Sequence, residues 1–337
     1  MMLTETSYAR AGFLGNPSDG YFGKTLAFAF TDFQVKVTIY ESPDVNFLPG
    51  DVDENVFDSL DHLVDTVQHY GYYGGVRLVK AVTKVFVEYC RAQSIALPQR
   101  NFTVRYQSNV PRLVGLGGSS AICTAMFKAL MRFYDVAARI PKEIVPTLCW
   151  QAEKEELGIH CGMQDRVIQV YNGLVFMDFD KEYFEANGFG KYEYLEARLL
   201  PRVYLAYDPD RAEFSGIYHR KLADVAARDQ ERVGAAMREF ADIAQQGFEA
   251  LRSGHLERIP ALVNANFDLR NRVFKVSEAN ARMVYEARTT GASAKFAGSG
   301  GAIVGTYEDD AMYEVLQARL AGIGCRTIRP LIAPPAP

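Results

Sequence analysis

Residues 111–121 have the composition of a loop that binds phosphate. They read Pro-Arg-Leu-Val-Gly-Leu-Gly-Gly-Ser-Ser-Ala and lie between a strand-like alternation at 102–106 and a helix-like pattern at 122–133. Glycine lets the backbone approach a ligand closely and adopt positive φ angles. The N–H groups and dipole of a helix N-terminus attract anions, and Ser119 or Ser120 is suited to cap that helix. The spacing predicts phosphate binding, with an ordinary tight turn as the alternative.

The loop differs from both common nucleotide-binding patterns. A Walker A loop requires G-x-x-x-x-G-K-[ST]. The stretch Gly23-Lys24-Thr25 ends in that way but has Ser18 where the first glycine belongs. The dinucleotide pattern G-x-G-x-x-G also fails, because Ser120 stands where its third glycine belongs. The loop therefore needs other residues to define a function.

Four charged side chains lie near glycines and are candidates for a site, although each also has an ordinary explanation. Arg10 lies in an apolar strand, and Asp19 lies in a polar turn. Glu153 belongs to a charged run near a helix end, and Asp165 lies in a glycine-bounded loop before a short helix. Taken singly, they are read as a strand-edge arginine, a turn aspartate, a solvated glutamate and a helix cap.

A second glycine-rich stretch lies at residues 291–306. It reads as a strand, a loop with glycines at 298, 300 and 301, and another strand. These glycines would let the backbone come close to a ligand. A hairpin turn explains the same pattern equally well.

The elements that must position these residues mix strands and helices. Apolar runs predict strands near residues 7–15, 26–40, 102–106, 173–179, 194–200 and 203–207, then around the second glycine-rich stretch and at 325–332. Helical spacing of apolar residues predicts helices near 57–67, 78–89, 122–133, 144–157, 167–171, 222–251, 262–284 and 312–320. We predict a domain boundary near residue 200, since 337 residues exceed a typical single domain.

Composition excludes several classes of protein. The net charge of −4 gives no general attraction to nucleic acid or anionic lipid. No apolar run is long enough to span a bilayer, and the first ten residues lack a signal pattern. The five cysteines are widely spaced without C-x-x-C, which predicts reduced thiols in a cytoplasmic protein. His160 and Cys161 have no partner ligands at a useful spacing and are interpreted as pocket lining or core.

The chain resembles the GHMP kinases, a family that includes galactokinase, homoserine kinase, mevalonate kinase and phosphomevalonate kinase. Ala9-Arg10-Ala11-Gly12-Phe13-Leu14-Gly15 is similar to its first motif. Residues 111–121 match P-x-x-x-G-L-G-S-S-A with one extra glycine at 117–118. Ala152-Glu153, Gly158, Gly162 and Asp165 match A-E-x-x-x-x-G-x-x-x-G-x-x-D, and residues 294–305 resemble the third motif. The resemblance spans nearly the full chain.

Within the family, the chain most resembles the glucuronokinase branch. The supporting stretches are residues 7–10, 14–19 and 21–23, together with Gln164-Asp165-Arg166-Val167 and Asn266-Phe267-Asp268-Leu269-Arg270. Asn16-Pro17-Ser18-Asp19 departs from the E-H-x-D of galactokinase. This branch implies phosphorylation of the anomeric hydroxyl of D-glucuronate.

The resemblance implies an α+β two-domain GHMP-kinase fold with the active site in the cleft. Residues 1–200 would form a ribosomal protein S5 domain 2-like domain that binds ATP, and residues 201–337 a ferredoxin-like α/β domain. ATP and Mg²⁺ are the implied cofactors. The implied partner is a small-molecule sugar or sugar acid, and neither nucleic acid nor a membrane is expected. Oligomeric state is not readable from the sequence.

The resemblance also implies roles for individual residues. ATP phosphates would contact Gly115, Leu116, Gly117, Gly118, Ser119, Ser120 and Ala121. Ser119 or Ser120, with Ser120 preferred, and Glu153 would ligate Mg²⁺. Asp165 would accept the proton of the acceptor hydroxyl, and Arg10 would lower the pKa of that hydroxyl or stabilise the transferring charge. The implied substrate-binding residues are Asp19, Tyr21, Arg166, Arg272 and Gly300.

Several alternatives stay open at this point. The cation for a substrate carboxylate is Arg166, Arg270, Arg272 or the His219-Arg220 pair. Residues 72–84 are the candidate for the base pocket. The substrate is glucuronate, or else another sugar such as a galactose- or heptose-type sugar, or mevalonate. The third hypothesis is a nucleotide-binding regulator that has lost catalysis, which the presence of Arg10, Glu153 and Asp165 disfavours.

Overall fold

A mixed β-sheet forms the first half of the computed structural model, which describes residues 2–50, 53, 57–70, 74–209 and 229–336. Its strands are β1 (Met2–Leu14), β2 (Lys24–Ser42), β3 (Asn46–Phe47), β4 (Asn101–Ser108), β5 (Leu174–Asp178) and β6 (Lys191–Leu195). The order is β3-β4-β2-β5-β6 with β1 paired to β2, and within these strands the β3–β4 pairing is parallel. Strand β2 is the centre of the sheet because it pairs with β1, β4 and β5.

The helices of the first half cover this sheet and position two glycine-containing loops. They are α1 (Leu60–Tyr70), α2 (Gly75–Ala92), α3 (Gly118–Phe133), α4 (Val145–Gln151), α5 (Gln164–Tyr171) and α6 (Lys181–Asn187). Helix α4 continues into a π-helical turn at Ala152–Glu156. Helix α3 packs against α2, α4, α5, β1 and β2. Its predicted apolar face is buried, and so are Cys123, Thr124 and Phe127 on other faces, because α3 is covered on several sides.

A second, antiparallel sheet lies in the second half of the chain. Its strands are β7 (Val203–Tyr207), β8 (Lys295–Phe296), β9 (Ala302–Thr306) and β10 (Arg326–Ile328), in the order β10-β7-β9-β8. The helices are α7 (Gln230–Ser253), α8 (Ile259–Phe274), α9 (Glu278–Arg288) and α10 (Asp310–Ala321). Helices α7 to α9 precede β8, and α10 joins β9 to β10, which gives the predicted ferredoxin-like β-α-β-β-α-β pattern. No helix in the described ranges is both long and apolar enough to cross a membrane.

The two sheets share part of one hydrophobic core. The strands change sheet between Leu195 and Val203, close to the predicted boundary at residue 200. Helix α7 nevertheless packs against β1 and β2 of the first sheet. Phe248 of α7 stacks on Phe176 of β5 with ring centroids 4.2 Å apart. The second half therefore helps to cover the first sheet, and the two halves meet around the loops that follow β1.

Candidate active site

One cleft collects most of the residues that the sequence singled out. Its walls come from β1, the β1–β2 loop, the segment before α3, the segment between α4 and α5, α8 and the β8–β9 loop. The predicted site residues that line it are Arg10, Asp19, Gly115, Leu116, Gly117, Gly118, Ser119, Ser120, Glu153, Asp165 and Arg166. Ala121 follows within α3 and is buried. Tyr21, Arg272 and Gly300, which the structure also describes, are not among the lining residues.

Helix α3 begins with backbone N–H groups that no side chain caps. Its N-cap residue is Gly117, in the left-handed conformation with φ 79° and ψ 31°, and no side chain accepts a hydrogen bond there. The prediction that Ser119 or Ser120 caps the helix is wrong, because both serines lie inside the first turn rather than ahead of it. Since the first N–H groups of a helix have no intrahelical partner, those of α3 are free to bind an anion at the cleft wall.

The two serines of this loop have different environments. Ser119 Oγ donates to Glu153 Oε1 at 2.6 Å, whereas Ser120 Oγ donates to the Gly117 carbonyl at 3.1 Å and Ser120 is 1% exposed. The preference for Ser120 as a metal ligand is therefore not supported. If the motif P-x-x-x-G-L-G-S-S-A is aligned from Pro111 without an inserted glycine, its second serine falls on Ser119 and its alanine on Ser120. The burial of Ser120 agrees with this alignment.

Glu153 is a buried carboxylate held by a buried arginine. It lies in the π-helical turn after α4 and is 1% exposed, whereas its neighbours Glu155 and Glu156 are exposed. Arg166 Nε donates to Glu153 Oε2 at 2.8 Å, and Arg166 Nη2 donates to the same oxygen. The solvated-run explanation of Glu153 is wrong. Arg166 lines the cleft, but its guanidinium is engaged by Glu153 and the Gly162 carbonyl rather than presented to a substrate.

Arg10 joins the candidate base to the glycine-rich loop. Its Nε and Nη2 atoms each donate to Asp165 at 2.6 Å in a bidentate pair. Its Nη1 atom donates to the Gly115 carbonyl at 2.6 Å and to the Ala297 carbonyl at 3.2 Å. Arg10 is 4% exposed, which excludes the explanation of it as a solvent-exposed arginine at a strand edge. Bidentate arginine–carboxylate pairs fix geometry as well as charge, so Asp165 is held at a set distance from the loop.

The second glycine-rich stretch packs against the first. A Cβ atom added to Gly298 would lie 2.2 Å from the Gly115 carbonyl oxygen, so only glycine fits there. The Gly300 carbonyl oxygen likewise lies close to Gly115. Gly300 approaches the first loop and is not among the residues that line the cleft, so its contact with substrate stays a prediction. The glycines of this stretch therefore let the 298–301 loop approach the 115–118 loop closely.

Two arginines of α8 point in opposite directions. Arg272 is exposed and pairs with Glu239 of α7 at 2.6 Å, which contradicts its predicted contact with substrate. Arg270 is buried, lines the cleft, and donates to the Gly298 carbonyl at 2.7 Å and to the Ser299 carbonyl. Residues two apart on a helix lie on roughly opposite faces, so only one of the two reaches the cleft. The His219-Arg220 pair lies outside the described residues.

Asp19 lies in the wall beside Asp165. Its Oδ2 atom accepts a hydrogen bond from the Gln164 backbone N–H at 3.0 Å. Burial raises the pKa of Asp19, and the charge of Asp165 adds to the rise, while the Gln164 hydrogen bond opposes it. Tyr21 lies two residues further on, at the end of a 3-10 turn that starts at Ser18. The turn directs Asp19 inward and leaves Tyr21 outside the lining.

Three residues of this region were not singled out from the sequence. Asn16 lines the cleft and is 4% exposed. Gln164 also lines it, and its buried Oε1 atom has no hydrogen-bond partner within the described part of the chain. Lys295 is buried directly behind Asn16. In the sequence, Asn16 lies near Asp19, Gln164 precedes Asp165, and Lys295 lies within the third motif. These positions were the only signals for the three residues, and polar residues in loops are too common to be selected by position alone.

The donor atoms around Ser119 fit a magnesium ion better than a transition metal. Within the described residues, no group of three His, Cys, Asp or Glu side chains could hold a metal. Mg²⁺ needs only one or two protein oxygens, because substrate phosphates and waters complete its shell. Ser119 Oγ and Glu153 Oε1 provide such a pair. Burial raises the pKa of Cys161 in the cleft wall to about 12, which disfavours its reactive thiolate form at neutral pH.

The candidate base pocket is only partly described. Residues 72 and 73 lie outside the described residues, and 75–84 lie in α2. Of this segment, no described residue lines the cleft. The assignment of the adenine contacts therefore stays a prediction.

Known proteins resemble this chain in sequence and in fold. Residues 77–173 match the family described as GHMP kinases N terminal domain. Glucuronokinase 1 of Arabidopsis thaliana is 42% identical over 306 residues, which cover 90% of this chain and 84% of that protein. Probable glucuronokinase 2 of the same plant is 44% identical over 303 residues, covering 88% and 82%. Lactococcus lactis galactokinase complexed with galactose has a TM-score of 0.75 at 13% identity, covering 98% of this chain and 93% of that one, which shows a shared fold.

Proposed function

Because this chain belongs to the GHMP kinase family of phosphotransferases, we propose that its cleft transfers the γ-phosphoryl group of ATP to the anomeric hydroxyl of D-glucuronate. The products are glucuronate 1-phosphate and ADP. The names of the two Arabidopsis relatives support the sugar acid. The single observation that carries the chemistry is Arg10, whose guanidinium contacts both Asp165 and Gly115 at 2.6 Å.

Phosphoryl transfer needs an anchored triphosphate and an acceptor hydroxyl aligned with it. The uncapped start of α3 and the Gly115–Gly117 backbone support the triphosphate site. We assign Ser119 and Glu153 as the residues that would hold Mg²⁺, which would supply positive charge against the charge that develops on the phosphates. The buried Arg166 keeps Glu153 in place for that contact.

The acceptor side of the cleft belongs to Asp165 and its neighbours. We assign Asp165 as the group that takes the proton of the anomeric hydroxyl as the phosphoryl group arrives. Arg10 orients this carboxylate, and its charge favours the oxyanion that forms beside the loop. Asp19 and the Gln164 side chain are the proposed hydrogen-bond partners of the other sugar hydroxyls, since both are buried polar groups in the wall.

The location of the reaction is part of the proposal. Cys90, Cys123, Cys149 and Cys161 are free thiols. Free thiols are the usual state in reducing compartments, which supports the proposed cytoplasmic location.

A matched pair of variants tests the magnesium assignment. Ser119→Ala removes the hydroxyl next to Glu153 and is expected to raise the Mg²⁺ concentration for half-maximal activity at least about 10-fold, the scale on which even outer-shell changes weaken metal sites. Ser120→Ala removes a hydroxyl whose hydrogen bond, among the residues that the structure describes, is to the Gly117 carbonyl, so its Mg²⁺ requirement is expected to match the wild type. Titration of activity with Mg²⁺ at saturating ATP measures both. A larger shift for Ser120→Ala would reverse the assignment.

A substrate panel tests the proposed function itself. We expect ADP release, followed with a coupled assay, in the presence of ATP, Mg²⁺ and D-glucuronate. Release with galactose, a heptose phosphate or mevalonate, but not with glucuronate, would retain the kinase and reject the sugar acid. ATP binding without ADP release on any substrate would favour the non-catalytic regulator.

A further inference from the structure

Gln169 is a buried amide to which the proposed reaction assigns no role. It lies in α5, one helical turn after Asp165, and is 0% exposed. Its Nε2 atom donates to the Gly117 carbonyl at 2.7 Å and to the Tyr8 carbonyl at 3.1 Å. A carbonyl only accepts, so the amide nitrogen must face both groups and uses its two protons on them. Gln169 is not among the residues that line the cleft, so any effect on the reaction passes through the groups that it holds.

The Gly117 carbonyl belongs to the first peptide of α3. It also accepts from the Ala121 N–H at 3.0 Å and from Ser120 Oγ at 3.1 Å. Both of these donors lie in α3 itself, whereas Gln169 lies in α5. Among the donors that the structure describes for this carbonyl, Gln169 is therefore the one that fixes the start of α3 relative to another element.

The peptide between Gly117 and Gly118 carries this constraint to the cleft. It is trans, and the C=O and N–H groups of a planar trans peptide point in opposite directions. Gly118 lines the cleft, and its N–H is one of the first-turn groups that have no partner within the helix. Hydrogen bonds to the carbonyl of a peptide also polarise its N–H group. Gln169 therefore sets both the direction and the donor strength of an N–H group in the phosphate loop.

The second bond of Gln169 reaches the strand that carries Arg10. Tyr8 precedes Arg10 by two residues on β1, and the Arg10 backbone N–H donates to the Leu116 carbonyl at 3.1 Å. The Arg10 side chain pairs with Asp165. Asp165 and Gln169 are four residues apart in α5, and such residues are neighbours on one helix face. One face of α5 thus holds both the proposed base and the amide that joins β1 to the phosphate loop.

We propose that Gln169 is a positioning residue for the proposed phosphoryl transfer, because its amide holds the start of α3 at a set distance from Arg10 and Asp165. The inference rests on the proposed function, since it explains how the bound phosphates and the acceptor hydroxyl are kept in line. A displacement of reacting groups by about 1 Å can lower a rate about 100-fold. A link between the two sides of the cleft therefore has a measurable effect on turnover.

Gln169→Met tests this role, because methionine has a similar length and no donor. The Gln169 Oε1 atom is buried without a partner within the described part of the chain, so the change also removes an unsatisfied acceptor, which offsets part of the lost stability. We expect kcat per nucleotide-binding site, with sites counted by calorimetric titration with ADP, to fall about 10- to 100-fold. KM for D-glucuronate should stay near the wild-type value, because the wall around Asp19 is untouched. A merely structural role would lower the number of sites and leave kcat per site unchanged.

Lys128→Met is the matched control at the same helix pair. Lys128 Nζ of α3 donates to the backbone carbonyl of Gln169 at 3.0 Å, outside the cleft lining. Its loss removes a contact between α3 and α5 but leaves the bonds of the Gln169 amide in place, so kcat per site should match the wild type. An equal fall in both variants would overturn the positioning role, because general packing of the two helices would then explain it.

Gln169→Glu provides a conservative rescue that does not depend on the folding of the methionine variant. At mildly acidic pH the buried carboxyl should keep its proton, because burial disfavours the charged form, and its O–H group replaces one of the two donors. We expect kcat per site to lie between the values for methionine and glutamine. A value no higher than that of Gln169→Met, or wild-type kcat per site in Gln169→Met, would overturn the inference and leave the kinase proposal intact. Absence of ADP release from the wild type with D-glucuronate would overturn the proposed function and this inference with it.

Discussion

Replacement of Asp165 by alanine is expected to lower kcat at least about 100-fold, the lower end of the effect of a positioned acid or base. The carboxylate lies in the first turn of α5, is 18% exposed, and faces the cleft where the acceptor hydroxyl is proposed to bind. Its bidentate pair with Arg10 fixes its position relative to Gly115. Without it, no described carboxylate holds the same position between Arg10 and the loop. Steady-state kinetics with ATP and D-glucuronate measure the loss.

Two further variants separate chemistry from structure at this site. Asp165→Asn retains the size of the side chain and one acceptor for Arg10, so it should lose kcat to a similar extent while KM for ATP changes little. Asp268→Ala breaks another arginine–aspartate pair, between Asp268 and Arg288, at the surface and outside the cleft lining, and should leave kcat unchanged. Near-normal turnover in Asp165→Ala would remove Asp165 from the mechanism.

Arg166→Met is expected to lower the free energy of unfolding by about 3–5 kcal/mol, the usual cost of removing one partner of a buried ion pair. Glu153 is 1% exposed, and Arg166 donates to its Oε2 atom through two nitrogens. Methionine fills a similar volume but leaves the carboxylate buried without its counter-ion. Chemical denaturation, followed by the change in secondary structure, measures the loss. A loss within experimental error of zero would show that the pair is solvated.

The double variant Glu153→Gln with Arg166→Met distinguishes the structural role of this pair from its role in catalysis. Buried ion pairs can often be replaced by neutral groups of similar volume at little cost, so most of the stability should return. Activity should not return, because Glu153 is the proposed magnesium ligand beside Ser119. Recovery of both stability and turnover would show that Glu153 serves only to neutralise Arg166.

The family followed from the sequence because its motifs are local, and the resemblance to that family implied the fold class. The glycine run before α3 and the strand that carries Arg10 can be read over a few residues at a time. The resemblance to GHMP kinases and the ferredoxin-like second half are confirmed. The structure also places Arg10 in contact with Asp165, which the family resemblance implied for one shared site, and with the Gly115 carbonyl.

The assignments that changed depend on the direction of single side chains. Ser119 and Ser120 are adjacent in sequence, yet the helical turn directs Ser119 to Glu153 and Ser120 to Gly117. Arg270 and Arg272 differ in the same way on α8, where only Arg270 reaches the cleft. Each residue of a helix is rotated by about 100° from the residue before it. Residues one or two positions apart therefore face different parts of the structure, and a sequence motif does not show which of them faces the site.

By itself, the sequence predicted a loop for phosphate with an arginine and a carboxylate to act beside it, and its family resemblance implied the fold that presents them. Only the tertiary structure decided that Arg166 neutralises Glu153, and that Lys295 lies behind Asn16 although 279 positions separate them. The physical reason is that phosphate loops rely on backbone groups, whose geometry local sequence sets. The pairing of buried charges relies on which distant elements pack together, and packing is a property of the whole chain.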